Sequence, residues 1–598
     1  MKRFNLKIIA AAILGLAAVP TFAALTYSGC PDMLGSDFTI TSLNSNATDT
    51  TIKEPGKMAL MTNDQNNVDV YFIQRYGKVR KYDGTTKATS TVANFNFGSG
   101  TNQADTNQIY TSSSEGLQGI ALDPAFKTNH WVYLYFVMKT TWKVTRYTLT
   151  GTTLDLATAK TIIRFTHTSF AQHAGSTLRF DADGNLWMTV ADNGGSNWPD
   201  DRTVLYQAAN TNKYFGKILR IKPRAIPDNQ SPLTPGLGST YDVPAGNLRQ
   251  KFFDIGGPTG QDTNKILPEV YVMGSRNPYS IAIDTVRKAV AWGDVGPDTY
   301  GSGSPENQWT EEFNFTTQPG NFGWPMWAGK LTPMPTAGWA GFTAPSGVSG
   351  TMSAPINTRP DNTGVTNLSP AQPAMINYVK NCAITGPVYY YKGSDTSKVK
   401  FPPHLNGAWF IADFNSPWIN AVEMNAAGTA VLSMKKMFSV STGGSPTLSV
   451  ATTGNSLKQI NPTSGSALMN TSNSITDLQM GSDGAMYVMN YSGYRTYDAK
   501  AGLLRITYNG TCQPAVVPLL NAHIRDARTL MEVRGLNVSI LATGIHSVEV
   551  RSLSGKLMAS RKGSGLARYT FDELKNPGIY LVYLNSDEGR RVQKIIRQ

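Results

Sequence analysis

His173, in the segment SFAQHAG, stands where a loop feeds an extended run, and small Ala174 and Gly175 leave room beside it for a bound molecule. A neutral imidazole near pH 7 is a good acceptor for a hydroxyl proton, which must leave when hydride is taken from an alcohol carbon. Arg276 and Asn277 follow a β-type run and precede Pro278, a strand-to-turn junction that projects side chains. A guanidinium placed there can hold a ligand oxygen and stabilise charge as a ring is reduced. Further along, Gly296 and Pro297 can present successive carbonyls, with Asp298, Glu311 and Glu312 close behind. Ca²⁺ takes roughly six to eight such oxygens. Each feature also has a plainer reading: a structural loop histidine, an arginine capping loop carbonyls, an ordinary polar turn. The chain has no CxxC, HExxH or CxxCH motif, so neither a zinc site nor a covalently attached haem is supported.

The elements that must position these residues repeat one grammar from about Val68 to Tyr508. A short aromatic and β-branched run leads to a Gly/Asp/Asn turn and a second run, as in VDVYFIQRYGKVRKYDG, WVYLYF, DADGNLWMTVADNGG, AWFIADFNSPWINAVEM and DGAMYVMNYSG. Period-2 alternation between turn signals is the mark of strands and hairpins, and no long helix-period stretch competes with it. The class is therefore all-β. So many antiparallel hairpins must cover their sheet edges, and radial blades of about four strands do so. A β-propeller is expected, with the Gly/Ser/Thr/Pro-rich stretches at 225–262, 330–372 and 440–474 as surface loops or lids.

Composition narrows the classes further. The chain has 598 residues, 40% hydrophobic and 16% charged, with only three cysteines, which excludes disorder, a fibre and a disulfide-stapled miniprotein. The net charge of +13 divides into +3 before residue 24, +6 over 515–598 and only +4 over 24–514. So neutral a body lacks the concentrated basic face that nucleic acid demands. Lys2, Arg3 and Lys7 precede an apolar run from Ile8 to Val19 that ends in small residues, the layout of a signal peptide over 1–23. Export is expected, with a single N-terminal anchor as the alternative. Cys30 and Cys512 flank the body, and a bond between them would close its ends, while Cys382 lies inside it. After GLLRITYNG the pattern changes, and residues 515–598 resume with strand-like runs such as GIYLVYL, suited to a small β-sandwich module.

Seven stretches in one order resemble the glucose/sorbosone dehydrogenase family: EGLQGIALDPAF, QHAGSTLRFDADGNLWMTVADNGG, GKILRIKP, EVYVMGSRNPYSIAID, WGDVGPD, NFGWP and DGAMYVM. The resemblance implies a six-bladed propeller over 24–514 with pyrroloquinoline quinone (PQQ) and Ca²⁺ near its axis. It implies oxidation of a sugar at the anomeric carbon, with electrons passing to a separate acceptor. By the same resemblance His173 is the general base, Arg276 and Asn277 contact the quinone, and Gly296, Pro297, Glu311 and Glu312 form the calcium region. Ser114 and Gln172 stand where sugar oxidisers carry other residues, which points to altered sugar recognition. The Lys/Arg clamp on the quinone carboxylates falls near Asn415, Ser416, Ser474 and Thr476, all neutral, leaving Lys392, Arg495 or Lys217 as surrogates. Residues 515–598 resemble C-terminal sorting domains of type IX secretion, implying the secretion machinery as partner and the surface or surroundings of a Gram-negative cell as destination. Two other readings stay open: a non-catalytic propeller binding glycans or protein, and a calcium-dependent lactonase.

Overall fold

The computed structural model describes residues 37–95, 97–98, 109–110, 116–138, 141–166, 173–175, 177–194, 206–254, 262–296, 310–329, 332–333, 348–379, 382–392, 397–415, 418–439, 449–450, 474–491, 501–510, 530–534, 536–586 and 589–597. They belong to two compact units, Met1–Pro514 and Ala515–Gln598. The class is all-β, and the helical elements among the described residues are short turns.

In the first unit six sheets of four or more strands follow one another. The first runs Pro55–Thr62, Val68–Gln74, Lys78–Tyr82, Thr89–Asn94, and the second Gly116–Leu122, Trp131–Val137, Thr141–Thr150, Thr153–Thr166. The third is built on Leu178–Phe180, Leu186–Val190, Lys217–Pro223 and Val270–Met273, and the fourth on Pro278–Asp284, Ala289–Asp294, Thr310–Thr316 and Ile376–Val379. Ala383–Val388, Trp409–Asp413, Trp418–Met424 and Val431–Ser439 make the fifth. The sixth takes Ile475–Met480, Met486–Asn490 and Gly502–Tyr508 from late in the chain and completes itself with Phe38–Ser45 from the beginning, antiparallel from Phe38 opposite Tyr508.

The second strand of each sheet explains why alternation is imperfect in the sequence. VDVYFIQ, LWMTV, WFIAD and MYVMN are buried at every position because neighbouring sheets cover both of their faces. Six apolar clusters fill the gaps between successive sheets, one of them joining Met58, Val70 and Phe72 of the first sheet to Tyr487, Met489 and Leu503 of the sixth. Polar links join the first strands as well: the Thr177 hydroxyl donates to the Tyr279 carbonyl, the Thr385 N–H to the Ser280 hydroxyl, and Lys57 Nζ to the Thr476 carbonyl.

The long stretches expected as loops carry some structure of their own. Residues 348–357 form a hairpin, Val348–Thr351 against Ala354–Asn357, and Arg249–Asp254 makes a single wide turn. Residues 440–448 and 451–473, the leader, and Cys30 and Cys512 with their expected bond lie outside the described residues.

The described residues of the second unit form one five-stranded antiparallel sheet. Asn537–Ser552 organises it: residues 537–541 pair with Leu530–Arg534, and after a register break between Leu541 and Ile545 the strand goes on to pair with Gly578–Ser586. Val538, Ile540, Val548, Val550, Phe571, Val582 and Leu584 form its apolar core. Two separate hydrogen-bonded sheets, as a sandwich would have, are not present among the described residues, because this one continuous strand serves both halves.

Candidate functional site

His173 sits in the short stretch leading into Leu178–Phe180, and Asp192 lies just past the end of Leu186–Val190, the strand that pairs with it. Gly175, at φ +71, allows the chain to turn there: a Cβ at this position would lie 2.6 Å from the Thr189 carbonyl oxygen. The turn brings His173 Nδ1 to 2.9 Å from Asp192 Oδ1. Asp192 is wholly buried and held from three sides. Its Oδ1 accepts the Gly194 N–H at 2.8 Å, its Oδ2 accepts Trp324 Nε1–H at 3.0 Å, and its own N–H donates to the Arg276 carbonyl. A carboxylate on Nδ1 holds the proton at that nitrogen and makes Nε2 the acceptor of the neutral ring.

Arg276 and Asn277 are fixed by a second carboxylate. Asp294, at the end of Ala289–Asp294, accepts their backbone N–H groups at 3.1 and 2.7 Å. Burial pushes its carboxyl up, against the opposing pull of those two hydrogen bonds. The Arg276 guanidinium donates to the Val295 carbonyl and lies 5.9 Å from the Trp324 ring centre, while its Nε, like Asn277 Oδ1, has no hydrogen-bond partner among the described residues. Glu311 and Glu312 are consecutive on one strand, so the pleat sends them to opposite faces. Glu311 accepts the Ala383 N–H at 2.9 Å and is drawn on by Gly296, and burial raises it well above the usual range. Glu312 accepts the Gly329 N–H at 2.6 Å, and burial, with the nearby Asp294 carboxylate, raises it. The two do not converge on one point, and among the described residues no group of three or more His, Cys, Asp or Glu side chains could hold a metal ion. Pro297 and Asp298 lie outside the described residues, as do Ser114 and Gln172.

A cavity of about 190 Å³ opens beside this cluster, lined from all six sheets and their connections: Gly56 and Arg75, Leu117 and Gln118, Ala174 and Gly175, Asn277, Tyr279 and Val295, Cys382, Ile384 and Phe414, and Tyr491. Sequence reasoning placed Asn277 here and the neighbours of His173, but it missed Arg75, Tyr279, Cys382 and Tyr491. Those residues come from strand ends far apart in the chain, with no shared motif. A signal did exist for Asp192, two residues beyond the strand LWMTV in the stretch that already carried the resemblance.

Two of the proposed surrogate cations, Lys217 and Lys392, do not line the cavity. Lys217 is fully buried, donating to the carbonyls of Gln207, Ala208 and Phe215, and Lys392 is exposed. Arg495 and Ser416 lie outside the described residues, Asn415 is exposed, and Ser474 and Thr476 are buried. Of the tryptophans, Trp187 and Trp292 are core residues packed edge-on against Tyr271 and Phe322, whereas Trp324 reaches the site through Asp192.

The first unit is thus an all-β scaffold whose strand ends gather a half-buried histidine and a buried aspartate beside a central cavity. A family model described as Glucose / Sorbosone dehydrogenase matches residues 52–240, a span that includes His173 and Asp192 and stops before Arg276. The chain is 29% identical over 194 residues to the HIPL2 protein of Arabidopsis thaliana, covering 31% of this chain and 24% of that protein. It is 27% identical over 226 residues to an uncharacterized protein of Synechocystis, covering 37% of this chain and 45% of that one. The chain therefore spans less than half the length of either relative. Among solved structures it is similar to a putative oxidoreductase (glucose dehydrogenase) of Thermus thermophilus, with a TM-score of 0.47 at 16% identity over 78% of this chain and 99% of that one. It is also similar to the PQQ-bound aldose sugar dehydrogenase of Streptomyces coelicolor, with a TM-score of 0.44 at 14% identity over 79% and 98%.

Proposed function

We propose that this chain is a sugar oxidoreductase whose six sheets are the blades of a six-bladed propeller, with the reaction at the central cavity. The observation that carries the reading is the His173–Asp192 pair, next in sequence to the cavity-lining Ala174 and Gly175 and within the stretch that matches the family. His173 Nε2 takes the proton of a sugar hydroxyl while the carbon bearing that hydroxyl gives hydride to a two-electron acceptor, leaving a carbonyl. Asp192 orients the ring and stabilises the imidazolium. Trp324 and the Gly194 N–H hold Asp192 in turn.

PQQ and Ca²⁺ are the groups the family resemblance implies. The aromatic and aliphatic faces of Tyr279, Phe414, Tyr491, Leu117 and Ile384 suit a flat ring, and Asn277 offers an amide oxygen with no partner among the described residues. The charges do not suit it. Three carboxylates need cations in a buried site, and among the described residues Arg75 is the one cationic side chain on the cavity, already paired with Glu54 at 2.5 Å. The described residues therefore do not fit a tricarboxylate quinone, nor do Glu311 and Glu312 jointly fit Ca²⁺. That mismatch favours one second reading, a propeller that binds an uncharged glycan without oxidising it. We further propose export through the leader, with residues 515–598 as a sorting module.

The test is dye-coupled oxidation of a panel of aldoses by the purified protein, supplied with PQQ and Ca²⁺ or with an uncharged quinone acceptor. Turnover that His173→Ala abolishes at unchanged fold supports the oxidoreductase. Sugar binding without turnover under any acceptor supports the glycan-binding reading.

A further inference from the structure

Glu54 is an unusual residue in an unusual place. It holds φ +45, a left-handed conformation that a side chain of its size rarely adopts and that persists only where the surroundings enforce it. Its carboxylate is buried and meets Arg75 Nε at 2.5 Å, with 1% and 8% of the two side chains exposed. The backbone reinforces the pair, because the Arg75 N–H donates to the Glu54 carbonyl and the Leu117 N–H donates to the Arg75 carbonyl. Gly116 keeps that last approach open: at φ +135 its missing Cβ would lie 2.3 Å from the Arg75 oxygen. Tyr76 and Tyr491 also face Glu54, and Tyr491 lines the cavity beside Arg75. The strained backbone thus delivers one buried anion to the one cation that the described residues place on the cavity wall.

We propose that Glu54 is the charge selector of the central cavity: by neutralising Arg75 it makes the cavity prefer uncharged ligands over carboxylates. A carboxylate ligand must compete with Glu54 for Arg75, and each carboxylate left unpaired in the cavity carries its full desolvation cost. An uncharged ring pays neither cost and keeps the Asn277 amide oxygen, which has no partner among the described residues, as an acceptor. The proposal rests on the reading of this cavity as the ligand site, and it concerns charge and not turnover.

Binding of PQQ and of its trimethyl ester, which share one ring system and differ in charge, tests it by tryptophan quenching of the full-length protein without added metal. The expected result is at least tenfold tighter binding of the ester. In Glu54→Gln, where Arg75 loses the Glu54 carboxylate, PQQ should gain at least tenfold relative to the ester, and the double variant Glu54→Gln/Arg75→Gln should restore the preference for the ester. Should Glu54→Gln not fold, the double variant, which leaves no unpaired charge, is compared with Arg75→Lys, which must keep the wild-type ratio. Tighter binding of PQQ by the wild type, a ratio unmoved by Glu54→Gln, or binding of neither compound overturns the proposal. Loss of the oxidoreductase reading alone leaves the ester preference intact but gives no His173-dependent dye reduction.

Discussion

His173 depends on Asp192 for both its tautomer and its orientation, and Asp192 depends on Trp324 and Gly194. Asp192→Asn keeps the shape and a hydrogen bond but removes the charge that stabilises the imidazolium. We expect kcat to fall by about 10²-fold or more while KM changes little, measured by steady-state dye reduction. Equal kcat would remove Asp192 from the chemistry. Lys57 gives a second test at this scale. It is fully buried, donates to the Thr476 carbonyl, lies 3.8 Å from the centre of the Tyr279 ring, and burial lowers its pKa to about 7. A lysine with a lowered folded-state pKa is neutral in the folded state and charged in the unfolded chain between about pH 7 and its ordinary value. The unfolded state then binds more protons, so stability rises with pH across that window, by at most about 1.4 kcal/mol per pH unit. Lys57→Met should remove that part of the slope in denaturant titrations between pH 7 and 10.

At the scale of elements, the site depends on strand ends held close by glycine. Gly175 packs against the Thr189 carbonyl and the Ala191 N–H, so that any Cβ there meets backbone that cannot yield cheaply. Gly175→Ala should cost about 1–3 kcal/mol in chemical denaturation and displace the stretch bearing His173, lowering turnover beyond the loss of stability. A fully stable, fully active Gly175→Ala would show that this close approach does not position the histidine. The same logic explains why Glu311 and Glu312, adjacent in sequence and read together, serve different places: consecutive residues of a strand look to opposite faces.

Across the whole first unit, the earliest strand completes the last sheet. Phe38 packs against Phe401 and Tyr508 with ring centres 5.3 and 5.2 Å apart, and Phe38–Ser45 pairs along Gly502–Tyr508. The contacts between sheets are shared around the unit, so losing this strand should not melt one sheet alone. Deletion of residues 24–46 is expected to abolish cooperative unfolding as followed by circular dichroism. Deletion of 515–598, a separate unit, should leave the melting temperature of the first unit within about 2 °C. A cooperative transition in the first truncation would contradict the shared architecture.

What the amino-acid order determined by itself was whatever depends on local pattern. The all-β class followed from period-2 runs between turn residues, and His173, Arg276 and Asn277 could be singled out because their flanks carried recognisable stretches. The division near residue 514 was legible as a change of pattern after GLLRITYNG. Only the tertiary structure decided which distant strand ends share the cavity, because a residue such as Arg75 or Tyr491 acquires its meaning from neighbours hundreds of positions away. It also decided charge. A sequence can count Lys and Arg, but whether Lys217 serves a ligand or three backbone carbonyls, and whether Arg75 is available or already held by Glu54, depends on burial and distance. Those quantities exist only once the chain has folded.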